Sequence, residues 1–243
     1  MRRFVIYLFT GLVALICGIA GYTISAHDLP FLGQAEARSD TMPTNPRIVY
    51  LSNKDNPPNT IIDTKFNEHE VAHVNSWQAA RQAARERPLD ALIIDATMLQ
   101  ARDDADTIWL RSQLDDGVTV VGIGVPDDEL AAAIGVKTFQ APEETKRERG
   151  ATGYRLVQAF ILAEPEDLKI LRDFGWIDVQ ISGSTQQPDS IKSPWRGSFS
   201  SAQGQLDTPE ALTLFFQRLE ERIKGAYEMR AEYQEQLKQK GTR

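Results

Sequence analysis

From Arg47 onward the chain alternates short apolar runs with longer amphipathic stretches, and each type of run predicts an element. "RIVYLS" (47–52) is β-rich and stops at the turn-forming cluster "NKDNPPNT". "VAHV" (71–74) predicts a second, weaker strand. "SWQAARQAARERP" predicts a helix with Ser76 as N-cap, Trp77, Ala80 and Ala84 on one face, and Pro88 just past its end. "DALIIDA" (90–96) is a continuous apolar strand ending in Asp95. "ADTIWLRSQLDDG" (105–117) is helical, with Ile108, Leu110 and Leu114 apolar and Gly117 suited to a C-cap. "VTVVGIGV" (118–125) predicts a strand buried on both faces, "PDDELAAAIG" (126–135) a short helix, and "VKTFQAP" (136–142) another strand.

The second half of the pattern is less regular. The charged run "EETKRERG" (143–150) predicts a solvated loop or the start of a helix. "YRLVQAFIL" and "EDLKILRDFG" predict helices on either side of Pro165, and "WIDVQISG" (176–183) one more strand. Residues 184–205 predict a long polar loop. Residues 208–241 predict one long amphipathic helix, with Asp207 or Thr208 as cap and Pro209 in the first turn. Its apolar stripe, Leu212, Phe215, Phe216, Leu219, Ile223 and Tyr227, is expected to pack on the domain. Past Met229 only Tyr233 and Leu237 keep that face apolar, so the last turns are expected to protrude, meet a protein partner or self-associate.

The first residues place this domain. Behind Arg2 and Arg3, Phe4 to Ile24 contains no charged residue, and a helix of about 20 apolar residues spans a bilayer core. The expected organisation is a transmembrane signal anchor (1–25), a linker (26–46), an extracytoplasmic α/β domain (47–207) and a C-terminal amphipathic helix (208–243). The two arginines favour a cytoplasmic N-terminus, which gives a single-pass cell-membrane protein with the domain outside. "TISA" before His27 leaves cleavage of a signal peptide as the alternative. Cys17, the only cysteine, falls inside the apolar run, so the exported part has no disulfide. A net charge of −7 argues against a nucleic-acid-binding face.

Strands separated by helices of these lengths predict parallel βαβ units. "VAHVNSWQAARQAARERPLDALIIDATML" and "GVTVVGIGVPDDELAAAIGVKTFQAP" resemble the receiver domains of two-component response regulators, and with "RIVYLS" the resemblance covers about residues 47–142. It implies an α/β fold with a flavodoxin-like doubly wound parallel sheet. It also implies aspartyl phosphorylation, and there the residues depart from it. Asp95 matches the acceptor position. Ser52-Asn53 stands where Mg²⁺-binding acids belong, Gly122-Ile123-Gly124 where a hydroxyl belongs, and Gln140-Ala141 where a lysine belongs. Without metal and lysine, nothing neutralises an incoming phosphoryl group.

"HEVAH" (69–73) matches H-E-x-x-H, in which two histidines on one helix face hold zinc and the glutamate acts as general base. His69 and His73 are the candidate ligands and Glu70 the candidate base. Against this, the motif runs into the strand "VAHV", where the two histidines lose helical register, and no third ligand follows. "GIGV" lacks the third glycine of a dinucleotide turn. Trp195 and Arg196, in a polar loop, are the residue types that anchor protein partners. The expectation is therefore a non-catalytic, membrane-anchored module without cofactor that binds or scaffolds a partner, with Asp95, Trp195 and Arg196 as candidate contacts. The alternatives are a membrane-anchored zinc metallopeptidase using HEVAH, and a small-ligand sensor at the carboxyl ends of the strands around Asp95, Gly122 and Gly124.

Overall fold

Apolar runs too short for helices become strands here. β1 (Ile48–Leu51), β2 (Ala72–Val74), β3 (Ala91–Asp95) and β4 (Thr119–Ile123) run parallel in the order β2-β1-β3-β4. The computed structural model describes residues 41–53, 60–134, 152–174, 189–192 and 196–241. The apolar run Phe4–Ile24, the expected strands 136–142 and 176–183, the charged run 143–150 and Trp195 lie outside the described residues. Among the described residues, no helix is long and apolar enough to cross a membrane.

The helices between these strands are α1 (Thr60–Glu68), α2 (Trp77–Glu86), α3 (Ala96–Gln100) and α4 (Asp104–Asp115), and α5 (Asp127–Ala133) follows β4. Ser76 caps α2 by accepting from the Ala79 amide at 3.2 Å, and Trp77 and Ala80 are its buried residues. α4 starts one residue before the predicted span, because Asp103 and Asp106 form a reciprocal capping box. Its inward face is Trp109, Leu110 and Leu114, while Ile108 is 71% exposed. Gly117, at φ 78, takes the left-handed position after the helix, where a side chain would clash.

The sheet is mixed, not all parallel. β5 (Gly153–Leu162) pairs antiparallel with β4, and β6 (Arg196–Gln205) pairs antiparallel with β5 along its whole length, from Gly153 opposite Gln205 to Leu162 opposite Arg196. Two expectations are corrected. "YRLVQAFIL" is a strand because its buried residues divide between two faces: Tyr154 and Leu156 join one core cluster, Val157 and Ala159 the other. A run apolar on both faces carries no period, so its content alone does not separate helix from strand. The polar loop at 184–205 gives way to β6 over its last ten residues. Backbone pairing with β5 imposes that strand on a sequence of low strand propensity. The stretch 60–68, for which the sequence predicts no element, is α1, with Ile62 and Phe66 four residues apart and both buried.

Both sheet faces are covered. α2, α4 and α5, with part of α6 (Pro165–Phe174), enclose Val49, Leu51, Leu92, Ile94 and Val120. On the other face, α1 and the long α7 (Pro209–Gly241) enclose Ile48, Tyr50, Ile93, Val121 and Leu156. The stripe Leu212, Phe215, Phe216, Leu219, Ile223 and Tyr227 faces this core as expected. Burial continues farther along the helix than expected, because Tyr233 is 3% exposed.

Candidate functional site

At the carboxyl end of the parallel strands, the Asp95 carboxylate accepts three hydrogen bonds. One oxygen accepts from the Met98 amide at 2.9 Å and from the Thr97 hydroxyl at 2.6 Å, capping α3. The other accepts from the Asn53 amide at 3.2 Å, which ties the end of β1 to the end of β3. Beside it, Ser52 is buried. Gly122 packs closely, since a Cβ there would lie 3.1 Å from that of Val125 and 3.4 Å from Leu130 of α5, so either neighbour would have to shift slightly to admit one. Gly124 turns the chain in the left-handed region, at φ 66.

HEVAH is split between two elements. α1 ends at Glu68, Glu70 sits at φ 53 in the turn, and His73 lies on β2. The left-handed residue breaks the register that would put both imidazoles on one helix face. The three side chains take three different partners. His69 stacks on Phe216 of α7, with ring centroids 3.7 Å apart and planes 6° from parallel, and its Nδ1 lies 3.7 Å from Glu220. Glu70 accepts from the Asn45 amide side chain at 3.1 Å. His73 Nε2 is 2.6 Å from the Ser52 hydroxyl, and its ring leans against Tyr50 at 5.6 Å. A serine beside a histidine is the start of a nucleophile–base pair, yet Ser52 has no exposed surface and so presents no hydroxyl to a substrate. Among the described residues, no group of three or more His, Cys, Asp or Glu side chains is placed to hold a metal ion.

The amino end of the same strands holds a second polar centre, which sequence reasoning did not single out. Asp90 is 4% exposed. One carboxylate oxygen accepts from the Arg47 amide at 2.7 Å, the other from the Tyr227 hydroxyl of α7 at 2.7 Å. Its own amide donates to the Arg47 carbonyl at 2.9 Å, and its carbonyl accepts from the Thr119 amide at 3.1 Å. The available signal was an acidic residue abutting an apolar strand with no turn to explain it. Arg196 also belongs to this end. It opens β6 opposite Leu162, five positions past Val157, the partner of Val120. Arg196 and Asp95 therefore lie at opposite ends of the sheet and do not form one site.

One carboxyl group elsewhere has a shifted pKa. Asp106 is raised above the usual 3.8, chiefly by burial, against the lowering effects of the Asp103 backbone hydrogen bond and of Arg81, 2.6 Å away. It joins α4 to α2.

Comparison of the chain with protein-family models, with curated proteins and with solved structures finds no match.

Proposed function

We propose that this protein is a membrane-tethered, extracytoplasmic α/β module that binds a protein partner, built on a flavodoxin-like arrangement that lacks phosphotransfer chemistry. The tether reading rests on the charge-free run behind Arg2 and Arg3. The receiver-like reading is supported by the order β2-β1-β3-β4 and by helices on both faces. The non-catalytic reading is supported by Asp95, whose two oxygens are occupied by Asn53, Thr97 and Met98. A carboxylate held in this way has its lone pairs directed at donors, and Ser52-Asn53 supplies no neighbouring acid to recruit a metal.

The observation that carries partner binding is one of placement. Arg196 and the part of α7 beyond Tyr227 both lie at the amino end of the parallel strands. The two partner-type features, Arg196 and the distal part of α7, thus share one end of the sheet. A photo-crosslinking side chain placed at Leu237 in the full-length, membrane-embedded protein should capture one discrete protein or a second copy. The same group at Gln100, on α3 at the other end, should not. Capture from Gln100 alone would overturn the reading.

A further inference from the structure

The four hydrogen bonds of Asp90 join the start of β1, the start of β4 and the far half of α7 through a single buried residue. Among the described residues, no basic side chain is paired with its carboxylate. Its two acceptor oxygens are divided between an amide of the segment entering the domain and a hydroxyl of the helix that closes it. Hydrogen bonds to a buried carboxylate are among the strongest a protein makes, and losing one leaves an unsatisfied acceptor in a low-dielectric site. The surrounding contacts reinforce the arrangement on both sides. The guanidinium of Arg87 donates to the Asn45 carbonyl at 2.8 Å, and that of Arg47 lies 3.5 Å from Glu86, which seats the entering segment. Arg230 donates to the Asp116 carbonyl and lies over the Tyr227 ring, which seats the helix.

We infer that Asp90 is a coupling junction: the seating of the entering segment at Arg47 and the docking of α7 beyond Tyr227 are conditional on each other. Displacing Arg47 removes one of two strong donors and opens the buried carboxylate to water, which then competes with the Tyr227 hydroxyl for it. Displacing the helix has the converse effect on Arg47. A load on the tether would in this way loosen the part of α7 assigned above to the partner, and a partner that moves α7 would loosen the tether side. The regulatory meaning rests on the proposed partner site, whereas the coupling is a property of the domain alone.

Hydrogen exchange resolved to single amides on the full-length protein tests it. Tyr227→Phe removes only the hydroxyl donor. It is expected to speed exchange of the distal α7 amides and of the Arg47 amide together, on the order of tenfold. Ile223→Val, which loosens α7 one turn earlier with the Tyr227 hydroxyl in place, should speed the Arg47 amide along with the helix amides; added to Tyr227→Phe, where the link is already cut, it should speed the helix amides further and leave Arg47 where Tyr227→Phe alone put it. Asp90→Asn, which keeps an acceptor for one donor only, should reproduce the Tyr227→Phe pattern. If Tyr227→Phe frays the helix with Arg47 unaffected, or if Ile223→Val still moves Arg47 once Tyr227→Phe is present, there is no junction. Neither outcome touches the crosslinking result at Leu237, so the two ideas fail separately.

Discussion

One face of the sheet is covered by short helices that each follow or precede a neighbouring strand, whereas the other depends on α1 and on a 33-residue helix arriving from the end of the chain. On the first face, Trp77, Leu110, Leu114 and Leu130 come from helices local to β1–β4, so each helix is fixed by the strands beside it in sequence. On the second, Phe215, Phe216, Leu219 and Ile223 cover Tyr50, Ile93 and Val121, which precede them by roughly a hundred residues or more. The first face is assembled from separable units. The second closes only when the far end of the chain docks.

The largest expected effect tests that asymmetry directly. Phe215 is fully buried and meets the Tyr154 ring at 4.8 Å, so Phe215→Ala should cost about 3–5 kcal/mol in urea unfolding. Its loss of protection should extend across the sheet. Leu110→Ala on the other face should cost about 2–5 kcal/mol, with loss of protection centred on α4. Comparable spread from both variants would break the comparison.

Ending the chain after Arg230 sharpens it. Tyr233 is almost completely buried, so this truncation should cost about 2 kcal/mol while leaving a folded domain. An unchanged melting temperature would show that the last turns contribute nothing to the second face.

A smaller effect is expected at the edge of that face. His69→Ala removes a stacked ring from Phe216 and a half-exposed contact with Glu220, and should cost about 1 kcal/mol. Salt should change that cost little, because stacking and not the charge pair supplies most of it. A cost that vanishes in high salt would reverse the assignment.

The smallest concerns pH on the first face. The pKa of Asp106 is raised on folding, so its stabilising contribution is complete below the unfolded value near 3.8 and is lost as pH rises through the folded value. The stability of the native protein relative to Asp106→Asn should therefore decline as pH increases from about 4 toward neutrality. A difference that grows over this range would show that pairing with Arg81, not burial, dominates.

The two halves of the sheet were unequally legible. β1, β3, β4, α2 and α4 could be read because each carries a local signal: a continuous apolar run, the Ser76 cap, or a glycine at Gly117. β5 and β6 could not. Tyr154 to Leu162 is apolar toward both faces and fits either period, and Arg196 to Gln205 is too polar to announce a strand. The candidate site divided in the same way. Asp95 was recognisable as a strand-end carboxylate, and the break in HEVAH followed from the strand "VAHV". The Ser52–His73 bond and the Asp90–Tyr227 bond were not visible, because they join residues 21 and 137 positions apart.

By itself the sequence determined the strands β1, β3 and β4, the helices α2 and α4 beside them and the apolar stripe of the last helix, since periodicity, capping and burial of apolar runs act within a few residues. Tertiary structure alone decided that the sheet continues antiparallel through β5 and β6 and that His69 lies against Phe216. It also decided that Asp95 and Arg196 stand at opposite ends of the sheet. Those outcomes depend on which backbone edge and which side chain is left to be satisfied after the local elements have formed. That remainder is set by the whole chain packed together and by no single stretch of it.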